Sequence, residues 1–289
     1  MLQALLDSGV EIKGTWPMRT EQPGGLRVVG RAALASSIVL VCRRRSSDAP
    51  LIGHSDFLSA LRAELPEALR LMQQGNIAPV DLAQAAIGPG MAIFSRHQRV
   101  IESSGEAMTV RKALAAINRA LDAVLAEQEA DFDSDTRWAI AWYSEFGFDE
   151  GSAGIAETLS KAKNTAIEGL VSAGILHQHG NKCRLVSRGE LDADWSSETD
   201  HRPTVWEVVQ HLIQRLSDGG ETAASEVLRS AGGLADPARE LAYRLYATCE
   251  KKGWTDEALA YNHLVQSWPA MSLLATQPPA GQTNLSFSN

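Results

Sequence analysis

The chain has 289 residues, 44% of them hydrophobic, and a formal net charge of −8. That length holds two domains, or one domain with an extension, and the apolar content supports a buried core. The acidic balance excludes a nucleic-acid binder that works through a global basic field, so any DNA contact has to be a local patch.

The charge is uneven. Residues 1–45 carry seven Lys/Arg against three acids, so this segment is net +4 and the remainder is −12. Cys42, Cys183 and Cys249 lie far apart with no C-x-x-C. This argues against a disulfide framework and fits a reducing cytoplasm. No signal peptide or long apolar span is evident, which predicts a cytoplasmic chain with no membrane partner.

Met1 to Ser8 reads as the last turns of a helix, and Glu11 to Glu21 as a strand running into a loop. Ser36 to Cys42 (SSIVLVC) is a β-branched apolar run closed by Arg43, Arg44 and Arg45. A run that apolar is expected to be buried on both faces, inside a larger sheet. The three arginines are either a solvated strand exit or phosphate contacts. After the linker 46–50, Ser55 is expected to cap a helix presenting Phe57, Leu58, Leu61 and Leu65. Pro66 kinks that helix or begins a second, and Gly75 stops it. Pro79 opens a short helix over Val80 to Ile87, and Gly88-Pro89-Gly90 forces a turn. Met91 to Ser95 and Arg99 to Ser103 then read as a small hairpin. The glycines do not make a phosphate loop, which needs strand, turn and helix in that order. Thr109 caps a helix whose apolar face is Val110, Leu114, Ile117, Leu121, Val124 and Leu125. Asp131, Asp133 and Asp135 resemble the start of a calcium loop. Thr136 and Trp142 fall where that loop needs Gly and Glu, so calcium is rejected. The acids suit the start of a helix over Thr136 to Phe146, with Trp138 and Trp142 inward.

Ile155 to Lys163 reads as one short helix, and Thr165-Ala-Ile-Glu168 as a capping box that opens a second, ended by Gly174. Ile175 to Gln178 and Lys182 to Val186 form a hairpin around Gly180-Asn181. Helix, turn, helix and ribbon is the plan of a winged helix, whose second helix enters the major groove in DNA-binding versions. Lys161, Lys163, Lys182, Arg184 and Arg188 are the candidate phosphate contacts. The second helix offers Ala166, Glu168 and Ser172, with no Arg, Asn or Gln for base edges. Such units also serve as protein-interaction and packing modules. His177, His179 and Cys183 lack a fourth metal ligand and read as surface residues. Thr204 to Glu207 is a further capping box. Gly219-Gly220 and Gly232-Gly233 bracket a short helix, and Asp236-Pro237 starts another with Leu241, Leu245 and Cys249 inward, ending at Gly253. Thr255 caps a last helix running to Trp268-Pro269. From Thr276 the chain is polar and Pro-rich, which predicts a disordered tail. Within it, Gln282, Leu285 and Phe287 fit a loose Q-x-x-L-x-F pattern, similar to peptides that dock on the bacterial sliding clamp. A plain tail is the competing reading.

Several stretches together resemble a known family. They are WPMRTE with ALASSIVLVCRRR, NIAPVDLAQAAIGPGMAIFSR, AEQEADFDSDTRWAIAW, KAKNTAIEGLVSAGIL, TVWEVVQHLI, LAYRLYATCEKKGW and ALAYNHLVQSWP. They resemble the C-terminal part of DUF1156-family adenine-specific DNA methylases, associated with phage defence. The loop from Gln22 to Ala33 departs from that pattern. The resemblance implies an α+β, mostly helical chain. It would consist of terminal strands of a Rossmann-like methyltransferase sheet (1–47), a helical extension with a small hairpin (48–146), a winged-helix-like unit (147–200), a helical bundle (201–272) and the tail (273–289).

The family's Gly-rich S-adenosylmethionine turn and its Pro-Pro-Tyr loop do not occur in this sequence. The resemblance therefore implies no catalytic residue, cofactor site or metal in this chain, and no methyl transfer by it alone. S-adenosylmethionine would belong to the complete enzyme. Three readings follow: a methylase fragment, one half of a split methylase that needs an N-terminal partner chain, or a stand-alone winged-helix DNA-binding or adaptor protein. The apparently interrupted sheet argues against the third.

Overall fold

The computed structural model describes residues 2–19 and 36–277. Among the described residues it is mostly helical, with three small sheets. The chain divides into two compact units. One comprises Met1–Ala130 with Cys249–Asn262, and the other Asp131–Thr248 with His263–Asn289.

The first unit opens with α1 (Leu2–Asp7), followed by β1 (Val10–Arg19) and β2 (Ser36–Arg44), which pair antiparallel as a two-stranded sheet. Ile12 is buried, whereas Val39 and Val41 are 46% and 37% exposed and Cys42 is also exposed. The expectation that this run is buried on both faces is therefore wrong. A two-stranded ribbon has one covered face at most, and here α3 (Pro79–Ser95) packs mainly against β1.

β3 (Leu51–Gly53) pairs parallel with β4 (Arg99–Ile101), so the expected hairpin over 91–103 does not form. Met91 to Ser95 is helical instead. α3 runs straight through Gly88-Pro89-Gly90. Glycine is required there for close approach rather than for turning. A Cβ on Gly88 would lie 1.9 Å from Thr15 Oγ1, and one on Gly90 would lie 2.5 Å from an Ile117 side-chain carbon. Between β3 and α3 lies α2 (His54–Gln74), which begins at Gly53 rather than Ser55 and continues through Pro66 to its cap at Gly75. α4 (Val110–Glu127) is capped by Thr109, whose Oγ1 accepts the Lys112 N–H. Its buried face is Val110, Ala113, Ala116, Ile117, Leu121, Val124 and Leu125, with Leu114 only partly covered.

The second unit starts with α5 (Ser134–Phe146), N-capped by Asp133. Trp138 and Trp142 are fully buried and stacked, with ring centroids 5.3 Å apart. Then come β5 (Gly151–Ser152), α6 (Ala153–Lys163), α7 (Ile167–Ser172), β6 (Leu176–His179) and β7 (Lys182–Leu185). The sheet order is β5-β7-β6, antiparallel throughout. α8 (Val205–Ala231) changes direction at Gly220, where φ is +67°. α9 (Ala235–Lys252) and α10 (Thr255–Ala275) follow, and both contribute residues to each unit. α10 continues beyond Trp268-Pro269, where a stop was expected, and Arg229 of α8 donates to the carbonyls of Leu274 and Ala275 at its end.

Candidate functional site

The segment from α5 to β7 was the candidate for recognition. Leu170, Ile175 and Leu176 are buried and anchor α7 and the start of β6. The predicted capping box at Thr165 does not form. α7 starts after Ala166 without a side-chain cap, and Thr165 Oγ1 instead donates to the buried carboxylate of Asp135. Arg202 reaches the same carboxylate at 2.6 Å. Tertiary contact has taken the hydroxyl that sequence spacing assigned to the helix end. The exposed side chains of α7 are Glu168, Val171 and Ser172, with Val171 44% exposed.

The cations around α7 have partners or local roles. Lys182 pairs with Glu150 at 2.6 Å, and Arg184 pairs with both oxygens of Glu190 at 2.7 Å. That bond, with two more from Ser187, holds the Glu190 carboxyl well below the usual carboxylate range. Arg188 donates to Gln210 at 2.9 Å and lies over the Phe148 ring. Lys161 and Lys163 occupy the last turn of α6, where positive charge suits the helix dipole. In the first unit Arg43 pairs with the buried Glu11, while Arg45 donates to the carbonyls of Leu6, Val10 and Gln98. Arg44 is exposed at the end of β2. The structure thus spreads the eight candidate phosphate contacts over two units. Gln282, Leu285 and Phe287 lie outside the described residues.

His177 and His179 are exposed, as expected, but Cys183 is fully buried. The register explains this: His177 pairs with Arg184 and His179 with Lys182, so both face away from Cys183. Among the described residues no group of three or more His, Cys, Asp and Glu is placed to hold a metal ion. No described helix is long and apolar enough to cross a membrane.

The least anticipated feature is a cavity of about 480 Å³ between the end of α7, β6, the segment 186–195 and α8. Glu207 and His211, one turn apart on α8, line it, and both are buried. Glu207 Oε2 accepts from the Thr204 backbone N–H and Oγ1 at 3.0 and 2.7 Å, completing the predicted capping box. Burial nonetheless pushes its carboxyl up to about 8. Burial likewise lowers His211 to about 4. The His211 imidazole stacks on the Trp195 ring, with centroids 4.2 Å apart and planes 5° apart, and its Nδ1 is buried without a hydrogen-bond partner. Sequence reasoning assigned Glu207 a capping role and gave His211 none. Their i, i+4 spacing, which puts both on one face of α8, was the available signal.

A family model described as Domain of unknown function (DUF8807) matches residues 133–286, just over half of the chain. No curated protein matches, and no solved structure matches. The matched family is not DUF1156, and no methylase family matches. The methylase resemblance is therefore overturned, and the fragment and split-enzyme readings lose the support they drew from it. The stretches that carried it are largely cap signals and amphipathic helix faces, such as TVWEVVQHLI and LAYRLYATCEKKGW. Physics imposes those patterns on unrelated helical domains as well.

Proposed function

Because the chain belongs to the DUF8807 family, we propose that its function lies in the matched region, and that this region is a winged-helix unit acting as a protein-docking adaptor. The element order α5, β5, α6, α7, β6, β7, with β5 pairing to the outer side of the β6–β7 ribbon, supports the winged-helix reading. In DNA readers the helix at the position of α7 enters the major groove and presents Arg, Lys, Asn or Gln to base edges. The observation that carries the adaptor reading is the face of α7, which presents Glu168, Val171 and Ser172. An acid repels phosphate, and an exposed valine suits a protein surface.

The surrounding ion pairs agree with this. Exposed ion pairs of this kind are weak, so DNA is not forbidden from breaking them. They do lower the gain from every phosphate contact that uses Lys182 or Arg184.

Duplex DNA is the competing partner, and fluorescence anisotropy with a random 30-base-pair duplex separates the two. The adaptor reading expects no saturable binding by about 100 μM protein at low salt, the weak edge of ordinary non-specific affinity. Micromolar binding that falls steeply with salt and is weakened by Lys161→Ala and Lys163→Ala would favour DNA instead. A photo-crosslinking residue at Val171 should trap a discrete protein partner in cells that the same residue at Leu51 does not.

A further inference from the structure

Among the described residues the outer side of β2 is an unpaired sheet edge, because β1 is its one strand neighbour. Alternate residues of an antiparallel strand turn their N–H and C=O toward the partner strand. The Arg45 N–H donates to the Gly9 carbonyl at 2.8 Å and so points toward β1. Arg43, Val41 and Val39 follow in steps of two. The register shift in this ladder adds its extra residue to β1 and leaves the alternation of β2 intact. Leu40, Cys42 and Arg44 therefore turn their backbone groups to the outer side. Cys42 and Arg44 are exposed and Leu40 is half-buried. On β1 the outward N–H of Ile12 is already taken, since it donates to Ser95 Oγ at 2.8 Å. The open edge thus belongs to β2, which also carries the exposed Val39 and Val41. A two-stranded sheet is marginal by itself, and further strands stabilise it.

We propose that this edge pairs with the same edge of a second copy of the chain, joining two β1–β2 ribbons into one four-stranded antiparallel sheet. The sequence of the strand itself identifies the occupant. Hydrogen bonds across the edge require outward-turned residues to face one another. The register that does so and pairs all of Ser36–Arg44 is centred on Leu40, opposite the partner's Leu40. It sets Val39 opposite the partner's Val41 and Val41 opposite the partner's Val39, so the exposed valines cover one another. Arg43 and Arg44 fall opposite the partner's Ser37 and Ser36, and no like charges meet across the edge. Parallel in-register pairing would instead set each arginine beside its own counterpart. Two-fold pairing is self-complementary and closes, because it consumes both open edges. This inference concerns the first unit and does not depend on the docking role of the matched region.

Sedimentation velocity of the full chain in about 0.15 M salt, where repulsion between copies is screened, tests the pairing. A monomer–dimer equilibrium is expected, with a Kd on the order of 10 μM. Two double variants at the exposed valines read the register, and circular dichroism checks that each is folded. Val39→Lys with Val41→Lys sets like charges opposite one another and should raise the Kd about tenfold or more. Val39→Glu with Val41→Lys sets opposite charges there and should stay within about threefold of the wild type. A wild-type chain that is monomeric at about 200 μM would overturn the pairing. Equal behaviour of the two double variants would overturn it as well, since a nonspecific apolar patch has no register. Open-ended growth beyond the dimer would overturn the two-fold arrangement.

Discussion

Glu207 and His211 sit one turn apart in the same buried environment, and burial moves them in opposite directions. Glu207 has a folded pKa of about 8 against its ordinary 4.5, so its contribution to stability is full below pH 4.5 and is lost as pH rises through 8. His211 has a folded pKa of about 4 against 6.5, so its contribution is full above pH 6.5 and is lost as pH falls through 4. Between pH 4.5 and 6.5 the two slopes oppose each other and cancel. Between pH 6.5 and 8 only Glu207 acts, and stability should fall by up to about 1.4 kcal/mol per pH unit. Glu207→Gln should flatten that limb. Urea unfolding at pH 6.5, 7.2 and 8 reads this directly, and a wild-type protein equally stable across the three would contradict the assignment.

Among elements, α3 shows tertiary packing overriding local preference. An interior proline costs a free helix about 3 kcal/mol, and two flanking glycines add to that. The helix persists because it packs against β1, α2 and α4, with Gly88 and Gly90 allowing the close approach to Thr15 and Ile117. Gly88→Ala and Gly90→Ala would gain up to about 1 kcal/mol of helix propensity but overpack the contact by about 1–3 kcal/mol. Net destabilisation is the expected result. Gly154 in α6 is the control, with nothing within 4 Å of its would-be Cβ. Gly154→Ala should stabilise by about 0.4–1 kcal/mol. Denaturation midpoints of the three variants decide it, and a stabilised Gly88→Ala would remove the packing argument.

At the scale of the whole molecule, charge and exposed apolar surface act together. A net charge of −8 keeps molecules apart at low salt. Val39 and Val41 are exposed on β2, a strand of a two-stranded sheet and a template for edge pairing. Near 0.15 M salt the Debye length shrinks to about 8 Å and the repulsion is screened. Light scattering should therefore show self-association rising with salt, and Val41→Lys should blunt that rise while changing stability by no more than about 0.5 kcal/mol. An unaltered salt response in Val41→Lys would place the association elsewhere.

The caps at Thr109 and Thr204, the stops at Gly75 and Gly174, and the inward Trp138 and Trp142 were legible in the sequence. Each depends on residues within a turn or two of one another, so spacing alone determines them. The same local logic misread Pro89 and Pro269 as breaks, because it cannot weigh the packing that holds a helix through proline. It gave Thr165 a capping role, but the Thr165 hydroxyl is taken by Asp135, thirty residues earlier in the chain. The parallel β3–β4 pair, the β5 strand and the buried face of Cys183 depend on partners distant in sequence. So does the cavity around His211, which α8 shares with α7, β6 and Trp195. The sequence by itself determined where most helices begin and which faces are apolar. Only the tertiary structure decided which apolar faces are covered, which cations are paired and which polar side chains of α8 are buried, because these follow from non-local contacts.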